Sequence, residues 1–163
     1  KENKKIPPQI IAVDFSNHMI EIAKTKCSHF NIEWICDRVE NIEFSNTSVV
    51  LSSYVLQFVE MEKRKEIINK IYNALPQGGV FILSEKIYEE DESIEGIFTS
   101  LYHDFKLKNN YTHLEIQQKA EALKNVLIPA TNDTYYTILK ETGFSHITTI
   151  IKYLNFTCLI AKK

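Results

Sequence analysis

Hydrophobic and polar positions follow two periods in this chain, and the change between them is sharpest over residues 49–86, VVLSSYVLQFVEMEKRKEIINKIYNALPQGGVFILSEK. Val49, Val50 and Leu51 form an apolar run between serines, the pattern of a strand covered on both faces. Residues 61–75 then put Ile67, Ile68, Ile71, Tyr72 and Leu75 on one helical face, with Glu62, Lys63, Lys65, Glu66 and Lys70 mostly opposite. Pro76 stops that helix, Gly78 and Gly79 supply a turn, and Val80, Phe81, Ile82 and Leu83 predict a second buried strand. A crossover of this length returns parallel to its start, so a ligand crevice is expected beyond the strands' carboxyl ends, where Ser52, Ser53 and Tyr54 fall.

The remaining elements follow from the same periods. Residues 1–8, KENKKIPP, read as an exposed lead-in. Residues 9–13 predict a short buried strand ended by Asp14, and Ser16 can cap a helix whose stripe is Met19, Ile22, Ala23 and Cys27. Residues 32–35 predict the next strand, with Cys36, Asp37, Arg38 and Val39 at its tip. The acidic run from Glu89 to Glu92 suits a solvated turn and a helix start, after which Ile94, Ile97, Phe98, Leu101, Tyr102 and Phe105 make a helical stripe. A helix over residues 114–127 stops at Pro129, and a further helix over 134–141 meets Gly143 just past its end. Residues 147–151 and 156–161 predict an antiparallel hairpin at the sheet edge.

Composition narrows the class. The 163 residues are 44% hydrophobic and 25% charged, values of an ordinary globular domain rather than a disordered or membrane protein. No apolar run reaches spanning length, so no membrane partner is expected. A net charge of -2 argues against a broad nucleic-acid footprint, since phosphate neutralisation needs clustered cations. Cys27, Cys36 and Cys158 are odd in number and lack zinc spacing, which fits reduced thiols in a cytoplasm, and the five histidines show no metal spacing.

The motifs LQF, SEK, HDFK, NVLIP and ETGF, in this order after VVLSSYV, carry a resemblance that periodicity does not. From about Ile10 to its end the chain resembles the carboxy-S-adenosylmethionine synthases of the class I S-adenosylmethionine-dependent methyltransferase superfamily. The resemblance implies an α/β, Rossmann-like fold in one domain over residues 1–163. Its sheet is mostly parallel, with a C-terminal antiparallel hairpin and a helical insertion at 89–130 that serves as lid or dimer contact. In such a fold the strand before Asp14 would be the second, and a first strand and glycine-rich turn would precede it; no glycine occurs before Gly78. The chain is therefore expected to lack that half of the site and to bind S-adenosylmethionine weakly.

The same resemblance distributes roles over Asp14, Phe15, Asp37, Arg38, Val39 and Ser53 as the cofactor-binding residues. Asp14, at a strand tip, can accept both hydroxyls of a ribose diol, although an Asp beside Ser16 also suits a helix start. Phe15 stands where the family usually has a polar residue; its ring could stack on adenine. The adenine loop of the family has an acidic residue, then a backbone amide. Here Arg38 holds the acidic position, so Asp37 could act through a one-residue shift, or the two could be an exposed pair in a turn. Ser53 occupies the place of a family Asn with shorter reach, and all these groups are expected on one sheet edge.

On the insertion, QQKAEAL puts Ala120 where the family has an Arg that holds the carboxylate of the carboxylated sulfonium across a dimer interface. Lys119 would point about a quarter-turn away. His103 and Asp104 could form an acid–base pair, but adjacent helical residues diverge and structural roles are favoured; no catalytic residue is assigned. The activity implied is transfer of prephenate's carboxylate to the S-adenosylmethionine methyl carbon, giving carboxy-S-adenosylmethionine and phenylpyruvate for wobble-uridine modification of tRNA, without direct nucleic-acid contact. A cytoplasmic homodimer is expected. Two alternatives stay open: an ordinary methyltransferase on a small acceptor, favoured by Phe15 and Ala120, and a non-catalytic dimeric module.

Overall fold

The computed structural model describes residues 9–163, so the expected lead-in over residues 1–8 lies outside the described residues. The chain divides into two compact units, one ending at Glu43 and the other spanning Phe44–Lys163.

The first unit is one strand–helix–strand step. Strand β1 (Ile10–Asp14) leads through helix α1 (Asn17–Lys26) to strand β2 (Ile32–Cys36), and the two strands pair in parallel from Ile10 opposite Ile32 to Asp14 opposite Cys36. Ser16 caps α1 as its sequence position suggests, its hydroxyl accepting the Met19 N–H at 3.3 Å. The expected stripe is rotated, however: Ile20 is the buried residue of α1, while Met19 and Ile22 are exposed. Strand β1 is likewise less covered than its apolar run suggests, with Ile10 and Ile11 exposed, because within this unit it has one strand neighbour and one helix to bury against.

The second unit holds a four-stranded sheet of order β3-β4-β6-β5, built from β3 (Val49–Ser53), β4 (Val80–Lys86), β5 (His146–Tyr153) and β6 (Phe156–Lys162). The crossover through helix α2 (Met61–Ala74) makes β3 and β4 parallel, and the hairpin makes β6 antiparallel to both β4 and β5. On α2 the expected face is buried: Ile67, Ile68, Ile71 and the following Leu75 are each at most 2% exposed. They share the core with Phe81 and Leu83 of β4, Leu159 of β6, and Tyr135 and Leu139 of helix α5 (Asn132–Thr142). Gly143 ends α5 in the left-handed conformation at φ 115, where a Cβ would come within 3.0 Å of the Tyr72 hydroxyl.

Strand β3 corrects the expectation of a strand covered on both faces. It is an edge strand of its sheet, and Val49 and Leu51 on one face are 56% and 64% exposed while Ser52 on the other is buried. Helices α3 (Glu92–Lys108) and α4 (His113–Leu123) form the insertion. Asp91 caps α3 by accepting the Ser93 and Ile94 N–H groups, and α4 starts with a Thr112–Glu115 capping box. Helix α4 ends four residues before the expected Leu127; residues 124–126 continue as a turn. Of the α3 stripe, Phe98 and Tyr102 are half-buried, whereas Ile94, Ile97, Leu101 and Phe105 are exposed. Among the described residues no helix is long and apolar enough to cross a membrane.

Candidate functional site

The carboxyl ends of β1 and β2 bring five of the six expected residues into one place. Asp14 is the last residue of β1 and lies opposite Cys36, and the Asp37 N–H donates to the Asp14 carbonyl at 3.2 Å. The parallel register thus sets two carboxylates at adjacent strand tips. One Asp14 oxygen accepts the Ser16 N–H at 2.8 Å, so the helix-start role is real, and the second oxygen remains for another donor. Asp37 accepts the Asn41 amide at 2.8 Å and the Arg38 N–H at 2.7 Å; these bonds, Asn41 foremost, hold its pKa below the ordinary carboxylate value.

Arg38 turns away from an acceptor role. Its guanidinium donates to Glu40 at 3.2 Å, leaving Asp37 as the acidic group of this loop. Val39 opens a 3-10 turn (Val39–Asn41), the position at which an N–H has no acceptor within the turn itself. Phe15 is 71% exposed beside Asp14. Two carboxylates for hydroxyl and amine donors, the N–H at the start of a turn and an open aromatic face together fit a nucleoside. In S-adenosylmethionine, Asp14 would hold the ribose diol, and Asp37 and Val39 the adenine edge; the molecule would supply an electrophilic sulfonium methyl group.

Ser53 belongs to the second unit. It ends β3 exposed, in register with Ser84, and the next residue, Tyr54, takes a left-handed φ of 57 with its N–H on the Ser84 carbonyl at 2.7 Å. His103 and Asp104 form no pair: Asp104 is exposed, and the His103 ring lies 5.5 Å from that of His113. Ala120 is exposed on α4.

Sequence reasoning missed a buried polar network beside Ser53. Glu85 of β4 accepts the Leu56 and Gln57 N–H groups at 3.0 and 2.8 Å and so fixes the turn that follows β3. The Gln57 side chain returns to β4 by accepting the Lys86 N–H at 2.8 Å. Burial pushes the Glu85 pKa up to about 7, against the pull of those N–H groups and of the Arg64 charge. Arg64 is wholly buried on α2, donating to the carbonyls of Val59 and Ile128 and to the Tyr135 hydroxyl. The signal was present: in VFILSEK, Glu85 falls on the alternate positions of Phe81 and Leu83, and Arg64 lies one turn before Ile67 and Ile68.

Comparison with known proteins agrees with this fold. Residues 3–79 match the model of the methyltransferase domain family. An O-methyltransferase family 2 protein from Planctomyces limnophilus superposes with a TM-score of 0.66 at 15% identity, over 95% of this chain and 42% of that one. The fold is therefore that of the S-adenosylmethionine-dependent methyltransferases. A carboxy-S-adenosyl-L-methionine synthase from Desulforapulum autotrophicum is 40% identical over 161 residues, 96% of this chain, and one from Mannheimia succiniciproducens is 39% identical over 164 residues, 98% of this chain. This chain belongs to the carboxy-S-adenosyl-L-methionine synthase family. It spans 65% of the length of the first relative and 68% of the second.

Proposed function

We propose that this chain carries the nucleoside-recognising and insertion portions of an enzyme that makes carboxy-S-adenosylmethionine from S-adenosylmethionine and prephenate. The single observation behind this reading is identity of about 40% sustained over 96% of the chain with a synthase of that name. In the proposed reaction the bond from prephenate's ring carbon to its carboxylate breaks, and the carboxylate carbon joins the sulfonium methyl carbon. The methyl proton and the ring hydroxyl leave as water, and the aromatised remainder leaves as phenylpyruvate.

Asp14 and Asp37 would grip the nucleoside, and Phe15 would cover its base. The product would serve wobble-uridine modification of tRNA in the cytoplasm, and the exposed apolar side of α3 would be covered by a second copy in a homodimer. A second reading, an ordinary methyltransferase on a small acceptor, is favoured by Ala120, which cannot form the ion pair expected there. Incubating the full-length protein with S-adenosylmethionine and prephenate, then identifying the sulfonium by mass spectrometry, tests the first reading. Carboxylated sulfonium with stoichiometric phenylpyruvate is expected; unmodified S-adenosylmethionine would refute it.

A further inference from the structure

Helix α3 runs for 17 residues with none of them buried, and α4 buries Ile116 alone, whereas α2 buries four residues and α5 three. Core burial therefore does little to fix the insertion, and a helix pair with so few buried groups belongs to the part of a fold that opens first. Ring contacts place α3 beside the β5–β6 hairpin. Tyr102 packs against Phe156 at 4.9 Å and Phe105 meets Tyr153 at 6.2 Å, next to the carboxyl end of β4, where Lys86 lies opposite Phe156.

The first turn of α3 is joined to the tip of that hairpin through one carboxylate oxygen. Glu95 Oε2 accepts the Asn155 side-chain amide at 2.7 Å and the Glu89 N–H at 2.9 Å, so the hairpin, the segment leaving β4 and the helix converge on one acceptor. The other Glu95 oxygen takes the Thr99 hydroxyl at 3.4 Å, one turn along α3. Asn155 is only 2% exposed, and its carbonyl accepts the Ile87 N–H at 2.8 Å. Leu154 before it holds a left-handed φ of 49, a conformation that a bulky residue rarely adopts, in the turn that carries Asn155 inward.

The root of the insertion is fixed separately. The Tyr88 N–H donates to the Ala130 carbonyl at 3.2 Å, the Ile128 N–H donates to the Gln57 carbonyl at 2.8 Å, and Arg64 holds the Ile128 carbonyl. Loss of the Glu95 contact thus frees the helices without freeing their root.

We infer that the Glu95–Asn155 contact is a latch. While it is made, α3 and α4 lie closed against the hairpin; when it breaks, they open from their root as one unit while the sheet, α2 and α5 stay folded. The latched arrangement stands beside the carboxyl end of β4, where a parallel crossover places a ligand crevice, so the latch sets how much of the time that end is shielded. Neither state depends on which reaction the protein performs.

Hydrogen exchange of the full-length protein at neutral pH, resolved by peptide, tests the latch. All variants are compared at one concentration and in the same sedimentation state, so that a second copy covering α3 protects them alike. Asn155→Asp keeps the side-chain shape and the backbone bond to Ile87 but sets a second carboxylate against Glu95, and Glu95→Ala removes the acceptor from a helix that alanine suits. Each is expected to speed exchange in α3 and α4 by about tenfold or more, with α2 and α5 within about twofold of the unaltered protein. Glu95→Gln keeps an oxygen for both donors and should stay within about threefold. Combined with Asn155→Asp, Glu95→Gln offers its amide to the new carboxylate and should recover most of the lost protection, which a general loss of stability would not. Unchanged exchange in α3 in both single variants would overturn the latch, as would equal acceleration in α2 and α3, or no recovery in the double variant.

Discussion

Arg64 and Glu85 are both fully buried, yet each is bound to backbone rather than to the other: Arg64 donates to the Val59 and Ile128 carbonyls, and Glu85 accepts from Leu56 and Gln57. The two ends of residues 55–59 are thereby pinned from opposite directions, by a cation on α2 and a carboxyl on β4. That segment follows Ser53 and Tyr54 directly, so the network positions the end of β3.

Glu85 makes stability depend on pH. Its folded pKa of about 7 lies above the ordinary 4.5, so folding favours the protonated form; that contribution is complete below about pH 4.5 and is lost as pH rises through about 7. The shift corresponds to about 3 kcal/mol at most. We expect the urea midpoint to fall between about pH 5 and pH 8 and the Glu85→Gln variant to lose most of that slope. The variant should also be less stable at the lower pH by about 1 to 3 kcal/mol, because the hydroxyl oxygen of the protonated acid can still accept an N–H whereas the amide NH2 cannot. Parallel slopes in the two proteins would place the titration elsewhere.

The elements that the sequence made legible are those whose partners lie in the same stretch. Ile67, Ile68 and Ile71 show the face of α2 because one helix period defines it, and Gly143 marks the end of α5 because its φ of 115 is a local demand. Strand β3 was misjudged for the opposite reason: Val49, Val50 and Leu51 report apolarity, but the coverage of each face depends on distant elements, and β3 is an edge. The expected nucleoside residues could be placed at strand tips from a resemblance and a topology rule, since Asp14 and Asp37 need only a parallel register to fall at adjacent tips.

In the proposed reading Asp14 would have two separable tasks. Its oxygen on the Ser16 N–H can be replaced by an amide oxygen, while an anionic acceptor for a diol cannot. Asp14→Asn should therefore leave the thermal midpoint within about 2 °C and reduce affinity for S-adenosylhomocysteine by about ten- to a hundredfold, measured by calorimetry. An unchanged affinity would assign Asp14 to the start of α1 only.

Helix α3 leaves Ile97 and Leu101 about half exposed, 52% and 49%, one turn apart on one face. If a second copy covers this face, Ile97→Glu combined with Leu101→Glu should give a monomer by sedimentation with an unaltered far-ultraviolet spectrum. A dimer that survives both substitutions would place the interface elsewhere.

Ala120 is exposed on α4 beside Lys119, in a helix opened by the Thr112–Glu115 capping box, so a longer side chain there disturbs neither core nor cap. Arginine and alanine are both good helix formers, and Ala120→Arg should change stability by less than about 0.5 kcal/mol. Its planar guanidinium would add a bidentate partner for a carboxylate, a contact that plain S-adenosylmethionine cannot use. Affinity for carboxy-S-adenosylmethionine relative to S-adenosylmethionine should then rise by about ten- to a hundredfold, read by competition calorimetry on protein shown to be dimeric. A rise in both affinities together would mean that arginine acts on the nucleoside or the fold. No change in either would mean that the position on α4 does not reach a ligand carboxylate in the assembled protein.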